Sequence, residues 1–139
     1  MKKFLSITLS VVFVLILAVI PAFARYTDYD TIIVSNKFYV VGTIAAENKY
    51  VEAGTLVFPF GSGTVSCMSC IGVTEIDGSG YSVASSGGMS SATATYDATS
   101  IYNSISTVAT EHYGFYYSSP NSDPDELIVS FEIDKTLIQ

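Results

Sequence analysis

Leu127, Val129, Phe131 and Ile133 occupy every second position of the C-terminal stretch, a spacing that puts all four on one face of an extended strand and that no helix can line. The same period recurs upstream. Phe38, Val40, Gly42 and Ile44 share a face within Lys37–Ala45, and Leu56, Phe58 and Phe60 share one within Thr55–Phe60. The runs are built of Val, Ile, Tyr, Phe and Thr, which suit a pleated half-buried surface, and Gly, Ser, Asn, Asp and Pro punctuate them. A chain of short amphipathic strands must bury one face of each sheet. The expected fold is therefore all-β, a single-domain antiparallel β-sandwich, with a small β-barrel as the alternative closure.

A pass along the chain places the strands. Tyr26–Asp30 reads as a polar lead-in, Thr31–Val34 as a strand, and Ser35-Asn36 as the turn into Lys37–Ala45. Glu47-Asn48-Lys49 turns the chain again. Pro59 assigns Thr55–Phe60 to an edge, because proline cannot donate a ladder hydrogen bond. Thr64–Ile76, closed by Asp77-Gly78-Ser79-Gly80 before Tyr81 and Val83 resume the alternation, is the strongest hairpin signal. Ser82–Ser91 reads as a loop or a bulged, weakly specified strand, and Ala92–Tyr96, Ile101–Thr110 and Tyr113–Tyr117 as further strands. Ser118–Glu126, with two prolines, reads as a loop before the final strand. No repeat period emerges.

The N-terminus has a different grammar. Lys2 and Lys3 precede an apolar run from Phe4 to Ile20 that ends in Pro21 and Ala22-Phe23-Ala24. A basic start, an apolar middle and a small-residue exit are the signature of a cleaved export signal. The expected division is a signal peptide, in helical form, over residues 1–24 and a secreted domain over 25–139; retention of the leader as an anchor is the alternative, and the leader is the only membrane contact anticipated. Its style looks bacterial.

Export removes Lys2 and Lys3 and no acid, so 4 basic residues face 13 acidic ones, a net charge of −9. Such a surface repels phosphate backbones and anionic headgroups, which excludes nucleic acid as a partner and disfavours cationic membrane disruption.

Cys67-Met68-Ser69-Cys70 has C-x-x-C spacing, but the sequence after it continues as strand rather than opening a helix that would lower a thiol pKa. A single histidine, His112, leaves a zinc site short of ligands, so no metal and no cofactor is expected. A Cys67–Cys70 disulfide would require a turn at Met68-Ser69, because residues three apart in a strand face opposite sides; two free thiols are the other reading. Glu111 and His112 offer an acid and a base without a positioned nucleophile. Asn121, Asp123, Asp125 and Glu126 concentrate oxygen ligands in one loop, a weak calcium site at most, since the spacing lacks the central glycine and distal Glu of an EF-hand.

Tyrosine is the unusual resource, with 10 Tyr and 8 Phe against no Trp. Tyr113, Phe115 and Tyr117 share one strand face and Tyr116 the other; with Tyr26 and Tyr29, the tyrosines Tyr113, Tyr116 and Tyr117 form the candidate contact surface. The functional expectation is a non-catalytic secreted or surface-associated module that binds a surface glycan or a surface protein or self-associates. An extracellular hydrolase using Glu111 and His112, and an exported toxin or bacteriocin-like precursor, are the alternatives.

Overall fold

The computed structural model describes residues 26–34, 36–87, 90–100, 102–117, 119 and 125–136, with backbone alone at residues 86, 125–130 and 133–136. The leader, and with it the expected signal helix, lies outside the described residues. Eight strands follow one another: β1 (Tyr26–Val34), β2 (Phe38–Ala46), β3 (Tyr50–Pro59), β4 (Thr64–Glu75), β5 (Gly80–Ser86), β6 (Ser91–Asp97), β7 (Ile105–Tyr117) and β8 (Asp125–Thr136).

They form two four-stranded antiparallel sheets, β1-β2-β3-β6 (sheet A) and β5-β4-β7-β8 (sheet B). Neither sheet closes on itself, so the barrel alternative is set aside and the arrangement is sandwich-like. Hairpins join β1 to β2, β2 to β3, β4 to β5 and β7 to β8, whereas the chain crosses between sheets after β3, β5 and β6.

Local chemistry accounts for the turns. Glu47 and Tyr50 exchange backbone bonds of 2.8 and 3.4 Å around Asn48-Lys49, closing a two-residue hairpin. Asn36 takes φ 58°, the left-handed region that asparagine tolerates. At the β4–β5 turn, Asp77 accepts a 2.9 Å bond from the Ser79 N–H while Gly78 takes φ +85°.

Three boundaries differ from expectation and one settles an open reading. The polar lead-in Tyr26–Asp30 is strand, because β2 offers it a continuous ladder from Tyr26↔Ala46 to Val34↔Phe38. Tyr81 and Val83 continue the hairpin as expected, and of the two readings of Ser82–Ser91 the strand holds as far as Ser86, where Gly80–Ser86 pairs with β4 without a bulge. Thr99 and Asn103 reach inward to Glu75, and β7 starts at Ile105 and runs through Glu111-His112 to Tyr117. Finally, β3 lies inside sheet A rather than at an edge; β6 reaches only as far as Leu56, so Pro59 sits past the end of its neighbour and no ladder bond is lost.

Alternation writes the core directly. Phe38, Val40, Ile44, Val51, Ala53 and Val57 of sheet A meet Val65, Ile71, Val73, Ile105 and Val108 of sheet B, all buried. Two clusters result, and Phe131 packs against both. The sheets approach closely at two glycines. A Cβ on Gly114 would stand 2.4 Å from Val40 Cγ2, and one on Gly42 would stand 2.3 Å from the Phe131 ring.

Gly114→Ala should therefore cost about 1–3 kcal/mol through overpacking, and Phe38→Ala about 3–5 kcal/mol through the cavity it leaves. Gly72→Ala, whose added methyl meets nothing within 4 Å, should stay within about 0.5 kcal/mol of wild type. Urea unfolding of the three variants checks the ordering.

Candidate functional site

His112 points into the core from β7, and neither of its nitrogens is idle. Nδ1 lies 2.9 Å from Thr55 Oγ1 of β3, and Nε2 lies 3.0 Å from Thr110 Oγ1 of its own strand. Thr55 Oγ1 is 2.7 Å from Ser69 Oγ of β4, and Ser69 in turn donates to the Ala92 carbonyl of β6 at 3.1 Å. Ser69 donates to the Ala92 carbonyl, and Thr55 Oγ1 also reaches the Met68 carbonyl at 3.1 Å, so one threonine hydroxyl links Ser69, Met68 and His112.

A serine, a threonine and a histidine in line look like a nucleophile relay, but Thr55, Ser69, Thr110 and His112 are each 0 % exposed. No substrate atom can come within reach of a nucleophile buried between two sheets. Burial pushes the His112 imidazole from 6.5 down to about 4, partly offset by its bond to the Gly54 carbonyl. The ring also stacks on Phe131, with centroids 5.2 Å apart. The network satisfies polar groups that tie β3, β4, β6 and β7 together.

Glu111 and His112, taken from sequence as a possible acid–base pair, stand on opposite faces of β7: Glu111 is exposed on the outer face of sheet B. There it meets Cys70 of β4 and Glu132 of β8 in register and accepts a bond from the Tyr113 hydroxyl. Small residues Gly72, Ser82 and Ala109 leave an open depression of about 200 Å³ beside this row. Cys67 and Cys70 are free thiols on opposite faces of one continuous strand, so the disulfide considered above is not formed. Burial raises both thiols, Cys67 to about 11, and Glu111 adds to the rise at Cys70; both stay protonated and weakly nucleophilic at neutral pH. Among the described residues, no three His, Cys, Asp or Glu side chains converge as metal ligands would. Of the acidic loop, Asn121 and Asp123 lie outside the described residues, while Asp125 and Glu126 open β8 rather than closing a loop.

The buried carboxylate of Glu75 went unremarked in the sequence. It accepts from the hydroxyl of Tyr96, from the Thr99 N–H at 2.9 Å, from the Thr99 hydroxyl at 2.8 Å and from the Asn103 amide. Lys49 donates to the Asn103 carbonyl, extending the cage to the β2–β3 turn. Burial alone would raise the Glu75 carboxyl, but donation from Tyr96 and Thr99 outweighs it and holds the group below its ordinary value.

The tyrosines do not form one surface. Tyr113 and Tyr117 lie with Phe115 on the outer face of sheet B, whereas Tyr116 turns inward, stacks on Phe38 at 5.8 Å and carries Lys37 over its ring at 5.4 Å. Tyr116 thus leaves the contact set, because its strand face is the one that meets Val40 and Val57 across Gly114. Tyr26 packs against the core from β1, and Tyr29, 49 % exposed, lies on the outer face of sheet A.

That outer face holds the aromatic cluster which sequence reading missed. Tyr39 stacks on Phe58 at 4.8 Å and meets Phe60 at 5.3 Å. Ile33, directly opposite Tyr39 on β1, is 67 % exposed, and Phe60 is 44 % exposed. The Tyr39 hydroxyl is buried without a hydrogen-bond partner. The register Tyr39↔Phe58 that assembles the cluster follows from the Asn48-Lys49 hairpin, a signal available once the turn is fixed. No protein-family model, curated protein or solved structure matches the chain.

The two buried titrating groups give stability a direction in pH. His112 binds its proton less readily folded than unfolded, so stability should be level above pH 6.5 and fall by about 3 kcal/mol as pH drops towards 4. Glu75, lowered in the fold, contributes stability above its ordinary value of 4.5 that is lost at lower pH still. Urea midpoints measured across this range should show both segments, and His112→Gln should remove the upper one alone. A level profile from 6.5 to 4 in the wild type would contradict the assignment.

Proposed function

We propose that this chain is a small exported β-sandwich of a bacterial cell surface that binds rather than catalyses, and that its ligand-facing surface is the Tyr39–Phe58–Phe60 ledge on sheet A. The observation that carries this reading is the ledge itself: on the outer side of sheet A a buried Tyr39 stacks on half-buried Phe58 and meets exposed Phe60 at a tilt, flanked by exposed Ile33. Aromatic faces held in a row accept the C–H face of a sugar ring or an apolar protein side chain.

Three further features support the reading. The leader directs the chain outward, where surface polymers are the available partners. The His112, Ser69 and Thr55 groups that a hydrolase would need at a cleft are spent inside the core. The acidic surface favours a neutral ligand over a polyanion.

Binding of the purified protein to a glycan array and to isolated cell-wall polymer tests the proposal. Phe60→Ala should weaken binding about tenfold, the loss of one stacked ring, with the thermal midpoint little changed because that ring is partly exposed. Absence of binding to any glycan, or binding indifferent to Phe60→Ala, would reject the ledge as the ligand surface.

A further inference from the structure

Residues 78–96 contain no charged side chain, in a chain that carries 6 basic and 13 acidic residues. They supply β5 and β6, which form one flank of the molecule: β5 is an edge of sheet B and β6 an edge of sheet A. On the opposite edge of sheet A, β1 carries Asp28 and Asp30.

Backbone direction can be followed strand by strand. Glu47 and Tyr50 exchange backbone bonds, as do strands flanking Lys37 and Phe60 through the 2.8 Å bond from the Phe60 N–H to the Lys37 carbonyl. Odd-numbered residues of β2 therefore face β3, and even-numbered ones face β1. Through the register Ile44↔Asp28 and Gly42↔Asp30, even residues of β1 turn their backbone towards β2, leaving Tyr29 and Thr31 to point outward. Both of these outward N–H groups are taken: Tyr29 N–H donates to Asp28 Oδ1 at 2.9 Å and Thr31 N–H to Asp30 Oδ1 at 2.8 Å. Tyr26 clamps Asp28 from the other oxygen at 2.6 Å. Charge and capping close this edge to strand addition.

The same reckoning at the other edge gives the contrary result. The Val57 N–H bonds the Ser90 carbonyl at 3.0 Å, so even residues of β6 face β3, and Ser91, Thr93 and Thr95 turn their N–H and C=O groups outward. No described strand lies beyond them and no described side chain caps them, although Gly87 packs against the Ser91 carbonyl so closely that a Cβ there would stand 1.9 Å from its oxygen. Their side chains are exposed and uncharged.

We infer that two copies of the chain pair antiparallel through β6, around a two-fold axis at Thr93. Thr93 then faces Thr93 of the partner copy, and Ser91 faces the partner's Thr95, so the outward backbone groups of one edge satisfy those of the other. The second copy is the occupant that the charge distribution selects. Two molecules of like negative charge meet least repulsion where neither carries charge, and β5 with the Ser91–Tyr96 stretch of β6 is such a place among the described residues. Asp97 falls outside the paired stretch. The axis stands normal to sheet A, making one continuous sheet of eight strands with both aromatic ledges on the same side. The pairing rests on backbone direction and charge, independently of what the ledges bind; if they bind a polymer, the dimer presents two at once.

Sedimentation velocity of the purified protein at tens of micromolar should show a dimer. Thr93→Lys/Thr95→Lys should weaken association at least tenfold with circular dichroism unchanged, since both side chains are exposed. Thr93→Pro should do the same by removing an outward N–H while leaving the β3 ladder intact. Thr93→Cys should cross-link through a short bis-maleimide, and Thr31→Cys on the capped edge should not. Phe60→Ala should leave the dimer intact, which separates this result from ligand binding. A wild-type monomer at 100 micromolar, or a dimer that survives the lysine pair, would overturn the inference.

Discussion

A hydroxyl-rich chain that buries two faces of sheet against each other must find partners for every polar atom it seals in, and the His112 network is where this protein meets that demand. Thr55, Ser69, Thr110 and His112 come from three strands and are wholly enclosed. Each has a hydrogen-bond partner, and the chain of bonds passes from sheet B to sheet A and ends on the Ala92 carbonyl. Because an unsatisfied buried donor costs far more than a satisfied one contributes, the network constrains register more than it adds stability. A slip of β3 by one residue would withdraw Thr55 from His112 and present it to solvent. The only histidine of the chain is thus a registration device, enclosed between the two sheets.

Much of the fold was legible because strand period is a local property. The alternations of Leu56, Phe58 and Phe60 and of Phe38, Val40 and Ile44 specify which residues share a face. They leave open which face is inward, and β7 shows why. Its aromatic face, Tyr113, Phe115 and Tyr117, is the richer in apolar surface, yet the core takes Thr110, His112, Gly114 and Tyr116. Val40, Phe38 and Val57 of sheet A already fill the space above Gly114, so a larger side chain there has nowhere to go. Volume supplied by a distant strand decided the matter, and no window of sequence contains it. The same logic hid the ledge. β2 is buried along its whole length, and Tyr39 and Val41, which look like core residues, are covered on the outer side by their own neighbours Phe58 and Leu56.

Polar residues were misleading for a related reason. Tyr26–Asp30 has the composition of a lead-in, but its aspartates serve the strand by capping outward N–H groups that would otherwise face water. Glu75 ends a strand of mostly apolar and hydroxyl residues and gave no sign of a cage. Its donors come from Tyr96 of β6 and from the chain between β6 and β7, and only the crossing between sheets brings Thr99 and Asn103 to it. That cage fixes the end of the sandwich at which β4, β6 and β7 meet, and Lys49 attaches the β2–β3 hairpin to the same point.

Charge in this molecule is distributed by what each edge must avoid. A sheet edge is a row of unsatisfied donors and acceptors, open to pairing with the edge of another molecule. β1 answers with carboxylates folded back on its own backbone, at the expense of crowding negative charge where the chain is already acidic. From Ser91 to Tyr96, before its terminal Asp97, β6 carries no such guard, and β5 beside it has no charged residue. If both edges were merely solvated surfaces, selection against aggregation would act on each alike and charges would appear on each. The asymmetry has a physical consequence whatever its origin: approach of two like-charged molecules is least opposed along the one flank where the backbone is still able to pair.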